Sequence, residues 1–191
     1  MDKIGIVHGR FQVFHNDHLK YMLEAKKKCE HLIIGICNPE ADLMKYTKAN
    51  PHRSKRSANP FTFFERAMCI KNAMMERGIN REEFDIVPFP INFPDKIFNY
   101  VPMDAKFYLT IYDEWGREKY KTLKEDLKLD VEVLWEVPLE KKGISASDIR
   151  KNMQQGKPWK HLVPNSVYEY IVENKLDKRT IEFLNEENEV Q

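Results

Sequence analysis

With 191 residues the chain has room for one domain of ordinary size and little more. Its 31 Lys and Arg against 30 Asp and Glu leave a formal charge of +1, which gives no global field for nucleic acid or an anionic membrane. A hydrophobic share of 42% with 12% aromatic residues excludes a disordered chain, and no apolar run approaches the roughly 18 residues of a membrane span.

Lys3 to Val7 (KIGIV) predicts a first strand that ends at the polar turn His8-Gly9-Arg10. Leu19, Met22, Leu23 and Lys26 then recur at helical spacing, and His31 to Cys37 (HLIIGIC) is a continuous apolar run closed by Asn38-Pro39. Continuous runs flanking a helix predict a parallel sheet covered on both faces. From Ala41 to Asn59 the pattern breaks into a long basic loop holding Lys45, Lys48, Arg53, Lys55 and Arg56. Loops of that length are functional or disordered; closure over phosphates or contact with RNA are the functional options, and a solvated, mobile loop is the commonest outcome for such a charge run. Thr62 with Glu65 three residues on predicts a capping box for a helix reaching Arg77, with Gly78 as its stop. Met68, Met74 and Met75 with Phe63 and Phe64 on that helix are expected to be core rather than a base-stacking box.

Further strands are predicted at Asp85–Val87, Ala105–Ile111 and Val131–Val137, with a helix from Trp115 to Leu127 between the last two. A short helix ending at Gly156, another over Asn165–Glu173 and a charged tail follow. The expected class is α/β, a doubly wound Rossmann-like parallel sheet of about five strands with helices appended at the C-terminal end. Residues 1–175 are expected to form the domain, and 176–191 a charged helical tail belonging to it. Cys29, Cys37 and Cys69 are an odd set without CxxC spacing, so neither a disulfide scaffold nor structural zinc is expected. A reducing cytoplasm suits them, and Met1-Asp2-Lys3 before a strand does not read as a secretory signal.

Two constellations carry chemistry. Gly9-Arg10-Phe11-Gln12-Val13-Phe14-His15-Asn16-Asp17-His18 follows the first strand directly and opens the first helix. Unpaired backbone N–H groups and partial positive charge make such a helix start a site for anionic oxygens. An isolated HxxH would more often cap its helix, and zinc would need further ligands that are not evident nearby. Ile144-Ser145-Ala146-Ser147-Asp148-Ile149-Arg150 follows the fifth strand. There Ser145 or Ser147 can cap, Asp148 complements the first turn, and Arg150 is not explained by capping. Both constellations fall at carboxyl ends of strands, where open α/β sheets bind ligands.

The pair GRFQxFHxxH and ISxSxIR resembles the nucleotidylyltransferase superfamily, with its HxGH and ISxTxIR motifs. Within it the likeness is to archaeal-type nicotinamide-nucleotide adenylyltransferases. Asn59-Pro60-Phe61-Thr62, Glu65-Arg66, Trp159 and His161-Leu162-Val163-Pro164 match in chain order, and the resemblance spans roughly residues 3 to 175. Two positions depart from it: Asp17 stands where the family has Gly, and Val13 where it has Pro. Asn92-Phe93-Pro94-Asp95 and Thr110-Ile111-Tyr112-Asp113-Glu114-Trp115 also depart, which leaves the acceptor site unassigned.

The resemblance implies transfer of a nucleoside monophosphate from a nucleoside triphosphate, ATP in the first place, to a phosphorylated small acceptor, with pyrophosphate released. Nicotinamide or nicotinate mononucleotide is the acceptor it points to. By the same resemblance His15, His18 and Arg150 are the catalytic residues. Gly9, Arg10 and Phe11 shape the loop past the phosphates, and Ser145, Ser147 and Arg150 hold the β and γ groups. Mg²⁺ would arrive on the nucleotide phosphates, with no resident metal site. A homo-oligomer is compatible with all of this, and nucleic acid is not an expected partner. Cytidylyl transfer to a phosphorylated alcohol or sugar is the alternative within the class, and a non-catalytic nucleotide sensor the alternative outside it. Asp17 either faces outward from the first helical turn and leaves the pocket unchanged, or points inward and blocks close approach of the base; the roughly 100° between neighbouring helical side chains favours the first, a tolerated residue at the pocket edge.

Overall fold

The computed structural model describes residues 1–40, 55–141 and 143–189. Strand β1 (Asp2–Gly9) leads through helix α1 (Asn16–Lys26) to β2 (Cys29–Cys37). Helix α2 (Phe63–Glu76) and strand β3 (Phe84–Phe89) come next. Then β4 (Lys106–Ile111), α3 (Glu114–Lys121) and β5 (Asp130–Glu136) complete the alternation. Helices α4 (Ala146–Gln154), α5 (Asn165–Glu173) and α6 (Leu176–Glu189) close the chain. Every strand pair is parallel and the order is β3-β2-β1-β4-β5. This is the doubly wound, Rossmann-like sheet the sequence predicts, with the C-terminal helices in place.

Alternation along the strands divides the core in two. Val7, Leu32, Ile34 and Tyr108 face the layer built from α1, α2, α4 and α5. Ile6, Ile33, Phe107 and Leu109 face the opposite layer, with Ile97, Leu123 and Leu129. Successive side chains point to opposite faces, so continuous apolar runs are what a sheet buried on both sides requires. The direction of strand addition reverses between β1 and β4, which opens a crevice at their carboxyl ends.

Local chemistry explains the boundaries. Thr62 accepts from Glu65 N at 3.3 Å while the Glu65 carboxylate accepts from Thr62 N at 2.8 Å, so the predicted capping box opens α2. Met74 is buried there, but Phe64 and Met75 are exposed, so the expected core covers only part of that set. Strand β3 runs on to Phe89, past the predicted Val87, and includes Pro88. As the edge strand it tolerates a residue without an N–H. The predicted helix over Trp115–Leu127 is regular only to Lys121 and widens into a π turn over Thr122–Asp126 that keeps Leu123 in the core.

Lys45, Lys48 and Arg53 of the basic stretch lie outside the described residues. Of the two basic residues described, Lys55 is bonded to the Glu187 carboxylate and Arg56 sits 4.1 Å from the Phe183 ring centroid. Both partners belong to α6, so this end of the stretch serves packing of the last helix rather than phosphate closure. Helix α6 also buries Leu176 and Thr180 and joins α2 through Arg179 Nη1 and Glu65 Oε1 at 2.9 Å. All three cysteines are buried and free. Desolvation pushes the Cys29 and Cys37 thiols up to about 11 and Cys69 to about 12, so none is a thiolate at neutral pH. Among the described residues no helix is long and apolar enough to cross a membrane.

Candidate active site

A cavity of about 490 Å³ lies at the carboxyl edge of the sheet, where β1, β2, β4 and the loop after β5 meet. All of the predicted site residues, Gly9, Arg10, Phe11, His15, His18, Ser145, Ser147 and Arg150, line it. Two segments more than 120 residues apart in sequence are thereby brought to one cavity.

The first wall is the β1–α1 turn. Gly9 is required by close approach, because a Cβ there would stand 2.7 Å from the Phe11 ring. That ring is itself buried, and it meets the His18 ring edge-on at 5.0 Å between centroids. His15 occupies the N-cap position of α1 but makes no capping hydrogen bond through its side chain. Its ring, only 4% exposed, stacks on His18 at 3.6 Å with an interplanar angle of 22°. The two histidines form one packed pair over the helix start, which is not what a capping role would give. The first-turn N–H groups of α1 open beside them, with the partial positive charge of a helix terminus.

The second wall is the start of α4. Ser145 is its N-cap, accepting from Ser147 N at 3.2 Å, as the plain capping expectation holds. Arg150 is 6% exposed and donates from Nη1 to the Gln12 carbonyl and from Nη2 to Ser147 Oγ at 3.2 Å. Burial pushes its pKa down to about 10, so the guanidinium stays charged at neutral pH. It therefore locks the second motif onto the first.

Asp17 overturns the outward orientation expected for it. Its Oδ2 accepts a hydrogen bond from Ile144 N at 2.6 Å, and the side chain lines the cavity. A Cβ at Gly143 would stand 2.5 Å from that same oxygen, so Gly143 leaves the space the carboxylate fills. Position 17 thus spans the two motifs. The helix geometry that separates Asp17 from His18 also aims it at the α4 loop.

Two positioning residues escaped the sequence argument. Gln12, 3% exposed, exchanges two hydrogen bonds with Phe61, from its Nε2 to the carbonyl at 2.8 Å and from Phe61 N to its Oε1 at 2.9 Å. Arg66, 2% exposed, donates to the carbonyls of Arg10 at 3.0 Å, Cys37 at 2.8 Å and Asn38 at 2.9 Å. One guanidinium thereby ties the loops after β1 and β2, and its own burial lowers its pKa to about 10. The only sequence signals for them were a Gln inside the first motif and a Glu65-Arg66 match. The departing segments also reach the cavity, through Asn92, Tyr112 and Trp115.

A parallel sheet with two helix starts opening on one crevice at its switch point defines a nucleotide-binding α/β protein. The chain belongs to the cytidylyltransferase-like family, which it matches over residues 6–152, and its reaction class is nucleotidyl transfer. It is 37% identical over 175 residues to a phosphonoformate cytidylyltransferase of Streptomyces viridochromogenes, covering 92% of this chain and 94% of that one. It is 33% identical over 177 residues to a nicotinamide-nucleotide adenylyltransferase of Thermococcus onnurineus, covering 92% and 85%. Among solved structures, a bifunctional NMN adenylyltransferase/ADP ribose pyrophosphatase from Francisella tularensis has the same fold, with a TM-score of 0.65 at 16% identity. That match covers 95% of this chain and 53% of the longer protein.

Proposed function

We propose that the protein transfers a cytidylyl group from CTP to a small phosphonate or phosphate acceptor and releases pyrophosphate. The observation that carries the reaction is the convergence of the His15–His18 pair and the Ser147–Arg150 pair on one cavity, held together by Arg150 and Asp17. CTP and a compact acceptor are supported by the Streptomyces relative, whose length this chain nearly matches. Adenylyl transfer to nicotinamide mononucleotide, the first expectation from sequence, is the second reading and is supported by the Thermococcus relative.

In the proposed reaction an anionic acceptor oxygen bonds to the α-phosphorus while the bond to the bridging oxygen of the β-phosphate breaks. The electron pair leaves with pyrophosphate. The acceptor oxygen is already deprotonated at neutral pH, so no general base is needed and catalysis is positioning plus charge stabilisation. His18 takes the charge that builds at the α-phosphate, with His15 stacked behind it. Gly9, Arg10 and Phe11 form the turn past the phosphates. Ser145, Ser147 and Arg150 meet the β and γ groups.

Among the described residues no three His, Cys, Asp or Glu side chains gather as a metal site. The donor set fits an ion that arrives on the phosphates and keeps most of its water, as Mg²⁺ does. Asp17 is the cavity carboxylate that would meet that water shell, and the ion supplies charge neutralisation of the leaving pyrophosphate. Pyrophosphate release with CTP or ATP, crossed with phosphonoformate and nicotinamide mononucleotide, tests the proposal. Release with CTP and phosphonoformate supports it; release only with ATP and nicotinamide mononucleotide establishes the second reading.

A further inference from the structure

The mechanism leaves a buried imidazole at the cavity unused. His8, at the carboxyl end of β1, is 5% exposed, and neither ring nitrogen has a hydrogen-bond partner. Strand alternation sends Ile6 and His8 to the face opposite the one Val7 shares with α1, so His8 lies on the α3 side of the sheet. Its ring stacks on Phe89 at 4.6 Å between centroids with an interplanar angle of 11°, which fixes the direction of both nitrogens. His8 lines the cavity together with Lys119 of α3 and with Asn38 and Asn92. The two asparagines are joined at 3.2 Å.

The cavity therefore has two lobes across the end of the sheet. One holds His15, His18, Ser147 and Arg150 on the α1 side; the other holds His8 and Lys119 on the α3 side. Burial, and then the charge of Lys119, hold His8 well below the ordinary imidazole range, so the ring offers one donor and one acceptor at neutral pH. A buried ring with two unpaired nitrogens is costly unless something polar meets it. His8 itself covers the face of Phe89, and Lys119 and the two asparagines add cationic and amide groups to the lining there.

We propose that the lobe formed by His8, Lys119, Asn38 and Asn92 is the acceptor subsite, and that it grips a second anionic group, such as a carboxylate, carried beside the acceptor's reacting phosphonyl or phosphoryl group. The inference rests on the transfer reaction proposed above and specifies its acceptor. A ligand with both groups bridges the lobes, with its phosphonyl oxygen toward the α1 side and its second anion accepting from the one His8 N–H and from Lys119. An acceptor lacking the second anion leaves the His8 N–H without a partner and is discriminated against.

The test compares the wild-type protein with His8→Leu, which keeps an apolar group against Phe89, and with Lys119→Met, which keeps length and removes charge. Titration calorimetry measures phosphonoformate and CTP separately, and steady-state kinetics compares phosphonoformate with methylphosphonate at saturating CTP. Either variant is expected to weaken phosphonoformate by about tenfold or more while CTP affinity stays within about twofold. The preference of the wild type for phosphonoformate over methylphosphonate should shrink in both. If His8→Leu does not fold, Lys119→Met carries the same test. Unchanged phosphonoformate binding in a folded variant, equal losses for CTP, or no binding of phosphonoformate to the CTP-loaded wild type would each overturn the subsite. Binding that depends on His8 without any transfer would keep the subsite and refute the reaction, and transfer indifferent to both variants would do the reverse.

Discussion

Replacing Asp17 by Asn and by Gly separates the two things its carboxylate does. It accepts the Ile144 N–H at 2.6 Å, and it places a negative charge in a cavity proposed to hold a triphosphate. A charge-assisted hydrogen bond contributes about 1.5–3 kcal/mol, at the lower end here because the side chain is only part-buried, and the acid in the first turn of α1 adds about 0.3–1 kcal/mol. Asp17→Gly removes both and is expected to cost about 2 kcal/mol, or about 4–8 °C in Tm for a chain of this size. Asp17→Asn keeps an acceptor oxygen and should cost about half as much. In metal-free buffer, for a phosphate charge about 8 Å away, loss of the repulsion gives about 0.5–2 kcal/mol between effective dielectrics of about 80 and 20, so Asp17→Asn should bind CTP about 2- to 30-fold more tightly there, a gain that Mg²⁺ should remove. Hydrogen exchange at the Ile144 amide reads the tether directly: protection should persist in Asp17→Asn and vanish in Asp17→Gly. Full protection of Ile144 in the Gly variant, or the same metal-free CTP affinity in the Asn variant and the wild type, would refute the reasoning.

Other expectations follow from the same geometry. His18→Ala should lower kcat by about 10²- to 10³-fold with little change in CTP affinity, measured by steady-state kinetics and calorimetry; equal losses in both would make His18 a ground-state contact. Arg150→Ala should weaken CTP about 10- to 100-fold and CMP much less, in a titration of both ligands, and identical losses would leave Arg150 only its structural bonds to Gln12 and Ser147. His8 is held neutral in the folded protein, so the unfolded chain binds the extra proton and stability falls as pH drops below the ordinary imidazole pKa of about 6.5. That contribution has a slope of about 1.4 kcal/mol per pH unit until the lowered folded pKa is reached, and urea unfolding between pH 7 and 5 should show the slope reduced by that amount in His8→Leu.

Much of this was legible in the sequence because it is local. The capping box at Thr62, the apolar runs of β1 and β2 and the two helix-start motifs each declare themselves within ten residues. What was not legible depends on contacts between distant segments. Asp17 and Ile144 lie 127 positions apart, and only the folded sheet shows that the helix direction at Asp17 meets the α4 loop. Arg66 reads as one more charge on an amphipathic helix until its guanidinium is found among the carbonyls that end β1 and β2. His8 reads as part of the polar turn that ends the first strand, and only the folded sheet shows which face of β1 it occupies, against Phe89. The third strand runs past its predicted end at Val87 through Pro88, because strand order, and hence the edge that tolerates a proline, is not written in the local pattern.

The central claim is that the cavity moves the α-phosphorus of a triphosphate and discards the rest as pyrophosphate. Incubation with phosphonoformate and CTP labelled with ³²P in turn at the α and γ positions tests it most directly. The account predicts that the α label appears in a cytidylyl–acceptor anhydride and the γ label in pyrophosphate, in equal amounts. Transfer of the γ label to the acceptor, or its release as orthophosphate with the α label left in CDP, would contradict it.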